Sequence, residues 1–205
     1  ISNCGGANPK AAGRIAIDTA ARLGLHGIKI ATITGDDTTG DECLARIREL
    51  RSKGISLQHL DTGEKLDSIE DRIIALSVYL GAEPIVNVLE QGARIVITGR
   101  HTDSAMWLAP ARYEFGWNAE DWDKLATGVI LGHLLECSGH ITGGNSSFWD
   151  KVPDLEHIGF PIAEVSENGE AIITKVEGSG GMVTVATCSE QLLYELHDPA
   201  RYLSP

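Results

Sequence analysis

The chain has 205 residues, of which 42% are hydrophobic and 22% charged, a balance that describes a globular protein able to bury a core. Its formal net charge of −12 excludes unassisted binding to nucleic-acid backbones or anionic lipid, both of which need a basic field. No apolar run reaches the roughly 18 residues of a membrane span, and four widely spaced cysteines argue against a disulfide framework or zinc knuckle, so a cytoplasmic setting is expected.

The chain opens with a strand end running into a Gly-rich turn, and Asn8-Pro9 then signals a helix over residues 9–23 that Gly24 and Gly27 stop. Residues 28–34 alternate like a strand. They lead through Thr34, Gly35, Asp36, Asp37 and Gly40 into a helix over residues 41–53. Residues 55–60 suggest a short strand, and residues 72–79 a further one ahead of a helix over 84–91.

An apolar β-branched run, Ile95 to Ile97, then ends at Thr98-Gly99 and is followed by Arg100, His101, Thr102, Asp103 and Ser104, a polar loop that opens a helix over 103–115. Pro110 should kink or split that helix. Ile97-Thr98-Gly99 repeats Ile33-Thr34-Gly35, and each tripeptide stands between a strand and an acidic, hydroxyl-rich loop. The repeated strand, loop and helix units predict an α/β fold with a mostly parallel, Rossmann-like sheet and helical crossovers.

Asn118 reads as the cap of a long helix with Trp122, Leu125, Ala126, Val129, His133 and Cys137 on its apolar face, and Gly128, Gly132 and Glu136 on a second stripe open to close approach. From Pro153 the composition changes. Residues 160–166 and 170–176 form a predicted hairpin through Asn168-Gly169, followed by a β-branched stretch over 182–187 and a helix over 188–197, capped by Thr187 and Glu190. The expected division is an α/β core over 1–150 and a smaller α+β portion over 151–205.

Ligands of open α/β sheets bind at the carboxyl ends of the strands, which makes these loops the candidate site. Asp36, Asp37, Asp103, Arg100 and His101 are the candidates for chemistry, with Arg100 the anion clamp, because its planar fork pairs with a carboxylate or phosphate. Asn3, Gly5, Gly6, Asn8, Arg100 and Ser104 are the candidates for holding a substrate or anion. Asp36 and Asp37 could instead hold a divalent cation through water or accept from a ribose hydroxyl. Capping of the following helices competes with every one of these roles.

His133, Glu136, Cys137 and His140 share one helix face by spacing, as transition-metal ligands would. The apolar face claims His133 and Cys137, however, and Gly139 ends the helix before His140. A buried, hydrogen-bonded histidine is therefore expected there, with no metal site and an inert thiol. The Gly-rich loops could each cradle an anion, but none has dinucleotide or Walker spacing; nothing signals a redox cofactor, and the cofactor is left open.

Taken together, Ile1-Ser-Asn-Cys-Gly-Gly-Ala-Asn-Pro9, Thr34-Gly-Asp-Asp37, Tyr79-Leu-Gly-Ala82, Ile95-Val-Ile-Thr-Gly-Arg100 with Asp103-Ser-Ala105, Glu114-Phe-Gly-Trp117, Gly132-His-Leu-Leu-Glu-Cys137, Gly159-Phe-Pro-Ile-Ala-Glu-Val165 and Gln191-Leu-Leu-Tyr-Glu195 resemble the acyclic terpene utilisation family, AtuA type. The family's domain begins further upstream with another Gly-rich strand and loop, so part of a shared site is expected outside this chain. His140 departs from the family's more usual Gln.

The resemblance implies a place in the breakdown of acyclic isoprenoids, a route that runs through CoA thioesters. The expected function is therefore an enzyme acting on a small branched acid or its thioester by proton transfer, a hydratase, lyase or isomerase. The alternative is a non-catalytic binding or scaffold subunit of an acyl-CoA enzyme complex. The expected partners are the small acid or acyl-CoA itself, further copies of the chain in a homo-oligomer, and other catabolic subunits.

Overall fold

The computed structural model describes residues 1–6, 8–59 and 61–204. Ala7 in the expected first turn, Leu60 at the end of an expected strand, and Pro205 lie outside the described residues. The described residues form a mixed α/β structure of six α-helices, one parallel strand pair and one antiparallel hairpin.

Helix α1 (Pro9–Arg22) starts where Asn8 accepts the Ala11 N–H at 3.0 Å, with Pro9 in the first helical turn where its missing donor costs nothing. Strand β1 (Ile30–Ile33) pairs in parallel with β2 (Ile95–Thr98), Ile33 lying opposite Thr98. Ser2 bridges Ile97 on the other side of β2. The even-numbered amides and carbonyls of β2 therefore serve Ser2, while the odd-numbered amides serve the β1 side.

The predicted mostly parallel sheet is thus reduced, among the described residues, to this pair and its bridges. Residues 55–59 and 73–79 form isolated bridges, Gln58 to Lys65 and Ser77 to Asp37, in place of the predicted strands. Residues 73–79 follow a 3-10 turn and hold onto loops at both ends, so a continuous ladder has nowhere to run. Apolar runs this short do not distinguish a strand from an extended loop.

Helices α2 (Asp41–Ser52) and α3 (Glu83–Glu90) follow the predicted pattern, and α3 packs on β1 and on α4 (Ala105–Phe115). Helix α4 remains one element despite Pro110 and ends at Gly116, whose left-handed conformation terminates it. The core is built from Ile33, Ile85, Val86, Val96, Leu108, Ala109 and Trp117, contributed by both strands, α3, α4 and the turn that follows α4.

Helix α5 (Trp122–Glu136) begins three residues later than predicted. Asp121 is its N-cap, and the Asp121 carboxylate accepts the Asn118 N–H at 2.8 Å. The close approach predicted along its glycine stripe is present, whereas Trp122 of the predicted apolar face is not buried. A Cβ on Gly132 would collide with the Ser104 backbone and one on Gly128 with the Leu108 side chain, so the glycine stripe faces α4. Trp122, at 71% exposure, is turned away and lines an open apolar groove with Leu125, Ala126 and Val129.

Strands β3 (Pro161–Val165) and β4 (Ala171–Lys175) form the predicted hairpin. Gly169 alone takes positive φ in the turn, which closes with Ser166 N–H bonded to the Glu170 carbonyl. The hairpin docks through the Trp117 indole N–H, which donates to the Glu167 carbonyl at 2.9 Å. Helix α6 (Val185–Leu196) starts earlier than predicted, because Thr184 and Thr187 form the capping box and Glu190 instead bonds Ser146 and Ser147. The predicted strand over 182–187 is absent, its second half having entered the helix.

Candidate functional site

Where β1 and β2 end, their two Thr-Gly loops meet. Asp36, 5% exposed, accepts the Arg100 backbone N–H at 2.7 Å, and its carboxylate lies so close to Gly99 that a Cβ there would overlap it. The Asp36 carbonyl accepts from Val78 N–H at 2.8 Å, and Leu80 donates to the Arg100 carbonyl at 3.2 Å. Asp36 is therefore the knot between three segments: the β1 loop, the β2 loop and residues 76–80.

These segments enclose a cleft of about 710 Å³ lined by Asn3, Gly6, Asp36, Asp37, Arg100, His101 and Asp103. All of them were singled out by the sequence. Gly5, Asn8 and Ser104 stand behind the wall instead. Gly5 packs on the Thr98 carbonyl, Asn8 caps α1, and Ser104 is buried against Gly132. Sequence reasoning missed the opposite wall, made by Ile74, Ala75, Ser77 and Tyr79. Ile74 is 93% exposed, and an apolar stretch read as a buried strand gave no sign that its side chains would face a cleft.

His101 is 2% exposed, and neither ring nitrogen has a hydrogen-bond partner among the described residues. Burial pulls its pKa down, against the opposing pull of the Asp36 charge. The ring is consequently neutral near pH 7, with one nitrogen able to accept a proton and the other to donate one. Arg100 is exposed, and among the described residues its guanidinium forms no ion pair or hydrogen bond.

The carboxylates differ. Asp37 is exposed and accepts the Thr39 N–H at 2.9 Å, a bond that lowers its pKa and suits a turn-forming role. Asp103 keeps an exposed face, yet burial of the remainder and the charge of Glu136 raise its pKa. The cleft thus offers a free cation at its rim, a buried neutral imidazole beside an oriented carboxylate, and an apolar wall. Such an arrangement can hold an anionic or polarised oxygen and move a proton.

Comparison with protein families matches residues 1–205 to the family described as acyclic terpene utilisation family protein AtuA. The chain belongs to that family. Neither curated proteins nor solved structures gave a match.

In this AtuA family member the His133 group lies on the far side of Asp103, whose carboxyl feels both His133 and Glu136. Glu136 and Cys137 meet Glu195 of α6, and His133 lies 3.2 Å from the same Glu195. His140 leaves them, its ring lying 5.8 Å from that of Tyr194. Cys137 donates to Glu136, and burial pushes its thiol up to about 12, so it is no nucleophile at neutral pH.

Proposed function

We propose that the cleft binds a small branched acid or its CoA thioester and catalyses proton transfer on it, as in hydration, dehydration or isomerisation. The observation that carries this reading is the convergence, in one cleft, of the unpaired Arg100 guanidinium with buried His101 beside Asp36. Arg100 would hold a carboxylate or the thioester oxygen, and His101 would take and return a proton, with the nearby Asp36 charge favouring its protonated form. Ile74 and Tyr79 would contact the branched apolar chain. Membership of a terpene-utilising family supports the substrate class.

Proton transfer is read directly as exchange of substrate hydrogen for deuterium in D2O, using a short β-methyl-branched unsaturated acyl thioester. The wild type should exchange it, His101→Gln should slow exchange about 100-fold or more, and Arg100→Ala should weaken binding about 10- to 100-fold. Unchanged exchange and affinity in both variants would remove this site from consideration.

A second reading, a non-catalytic scaffold subunit, draws support from the apolar groove of about 660 Å³ beside α5, where Trp122, Leu125, Val129, Leu196 and Pro199 line one surface. That reading predicts self-association in light scattering with no exchange of any thioester tested.

A further inference from the structure

Where α5 ends, Glu136 and Cys137 meet Glu195 from α6, and one donor atom from each lies within 4.8 Å of the others. No Lys or Arg pairs with either glutamate among the described residues. Two acidic side chains and a thiol thus share a half-buried space with no lysine or arginine to offset them. Acidic groups alone would not make a site, but two further atoms without partners lie beside this space.

The first is His133 Nδ1. The residue is 5% exposed, its Nε2 is held by the Tyr202 hydroxyl at 2.6 Å, and its Nδ1 lies 3.2 Å from Glu195 Oε2 without forming a hydrogen bond. The second is Gln191 Oε1, on a fully buried residue. Its amide nitrogen donates to the His133 carbonyl at 2.8 Å and to Glu195 Oε1 at 3.3 Å, and its oxygen has no partner among the described residues. Buried polar atoms normally find partners, and the unpartnered His133 nitrogen beside the acidic pair calls for a missing one.

We propose that Glu136, Cys137 and Glu195 hold a borderline divalent transition ion of the Zn²⁺ type, with His133 Nδ1, 3.2 Å from Glu195 Oε2, drawn in as the fourth donor when the ion binds. Donors bound tetrahedrally at about 2.0–2.3 Å stand about 3.3–3.8 Å from one another. The 3.2 Å separation of His133 Nδ1 from Glu195 and the 3.8 Å separation of Cys137 Sγ from Glu195 are near that spacing, and the closer Cys137–Glu136 pair would open as the thiol gives up its proton to bind the ion. The donor set selects the ion: imidazole and thiolate favour a transition metal, while Mg²⁺ and Ca²⁺ prefer oxygen alone. Tyr202, bonded to the other ring nitrogen, orients the histidine as the outer partners of metal-bound imidazoles do. With four protein ligands the site is closed. It acts as a clip fastening α6 to the end of α5.

The test uses the chelator-stripped whole chain with Zn²⁺ or Co²⁺ alone as the probe. One Co²⁺ per chain should bind with a thiolate charge-transfer absorption, and Zn²⁺ should displace it and raise the melting temperature. The absorption should vanish in Cys137→Ser and persist in Cys43→Ser and Cys188→Ser. Glu195→Gln, which preserves shape, should weaken Co²⁺ binding by more than the roughly 10–100-fold that loss of a supporting group costs. Absence of stoichiometric binding, survival of the absorption in Cys137→Ser, or unchanged affinity in Glu195→Gln would overturn the assignment.

Discussion

At His101 the imidazole is nearly fully enclosed, and burial holds its pKa below the 6.5 of a free histidine. When the chain unfolds, that depression is lost, so the unfolded state binds the extra proton first as pH falls. The ring therefore costs no stability above about pH 6.5 and an increasing amount below it, with a slope approaching about 1.4 kcal/mol per pH unit. His133 acts with the same sign, whereas Asp103 and Glu136, raised by burial, favour the folded state as pH falls through the carboxylate range. Comparison with His101→Gln isolates the single ring. Between about pH 7.5 and 5.5 the wild type should lose melting temperature faster than the variant; parallel curves would show that His101 titrates alike in both states.

The twin Ile-Thr-Gly tripeptides show how one sequence signal can have two physical causes. Gly35 has φ of 117°, a conformation that side chains avoid, and nothing would crowd a Cβ there. Gly99 is kept small by the Asp36 carboxylate lying against it. The glycines of α5 differ in a comparable way. A Cβ on Gly128 would meet the movable end of Leu108, whereas one on Gly132 would meet the Ser104 backbone. Glycine to alanine in a helix ordinarily stabilises by up to about 1 kcal/mol. Urea denaturation should find Gly128→Ala near neutral and Gly132→Ala destabilising by about 1–3 kcal/mol. Equal effects would mean that the two helices do not meet at Ser104.

At the scale of the molecule, the hairpin and α6 reach the α/β core through few polar ties, which makes each of them measurable. Trp117 is 3% exposed and links the core to Glu167 in the hairpin turn. Trp117→Phe keeps most of the ring but removes the donor, and should cost about 1–3 kcal/mol by leaving a carbonyl unsatisfied. Amide exchange should rise across residues 161–175 and stay unchanged in α1. Uniform acceleration would place the loss in the core instead. The net charge of −12 bears on partners at this same scale, and the chain should show no retention on a DNA or anionic-lipid surface at about 0.15 M salt.

Local signals read without folding were those whose physics is local: the Asn8-Pro9 start of α1, the hairpin around Gly169, and the two polar loops at strand ends. The family motifs, spread along the chain, were equally legible. Asn3, Asp36, Arg100 and His101 could be named as candidates because polar groups after apolar strands are conspicuous in one dimension. Their gathering around Asp36 depends on a backbone amide 64 positions away, which only the fold supplies. Tertiary structure also decided what periodicity could not. It made residues 73–79 the wall of a cleft, because short apolar runs leave open which neighbour will bury them. It chose what meets the glycine stripe of α5, the Ser104 backbone and Leu108, and left Trp122 of the apolar face exposed, because spacing marks a face but not its partner. It replaced His140 with Glu195 beside His133, because that partner comes from a helix 62 positions on, and no spacing along α5 could have indicated it.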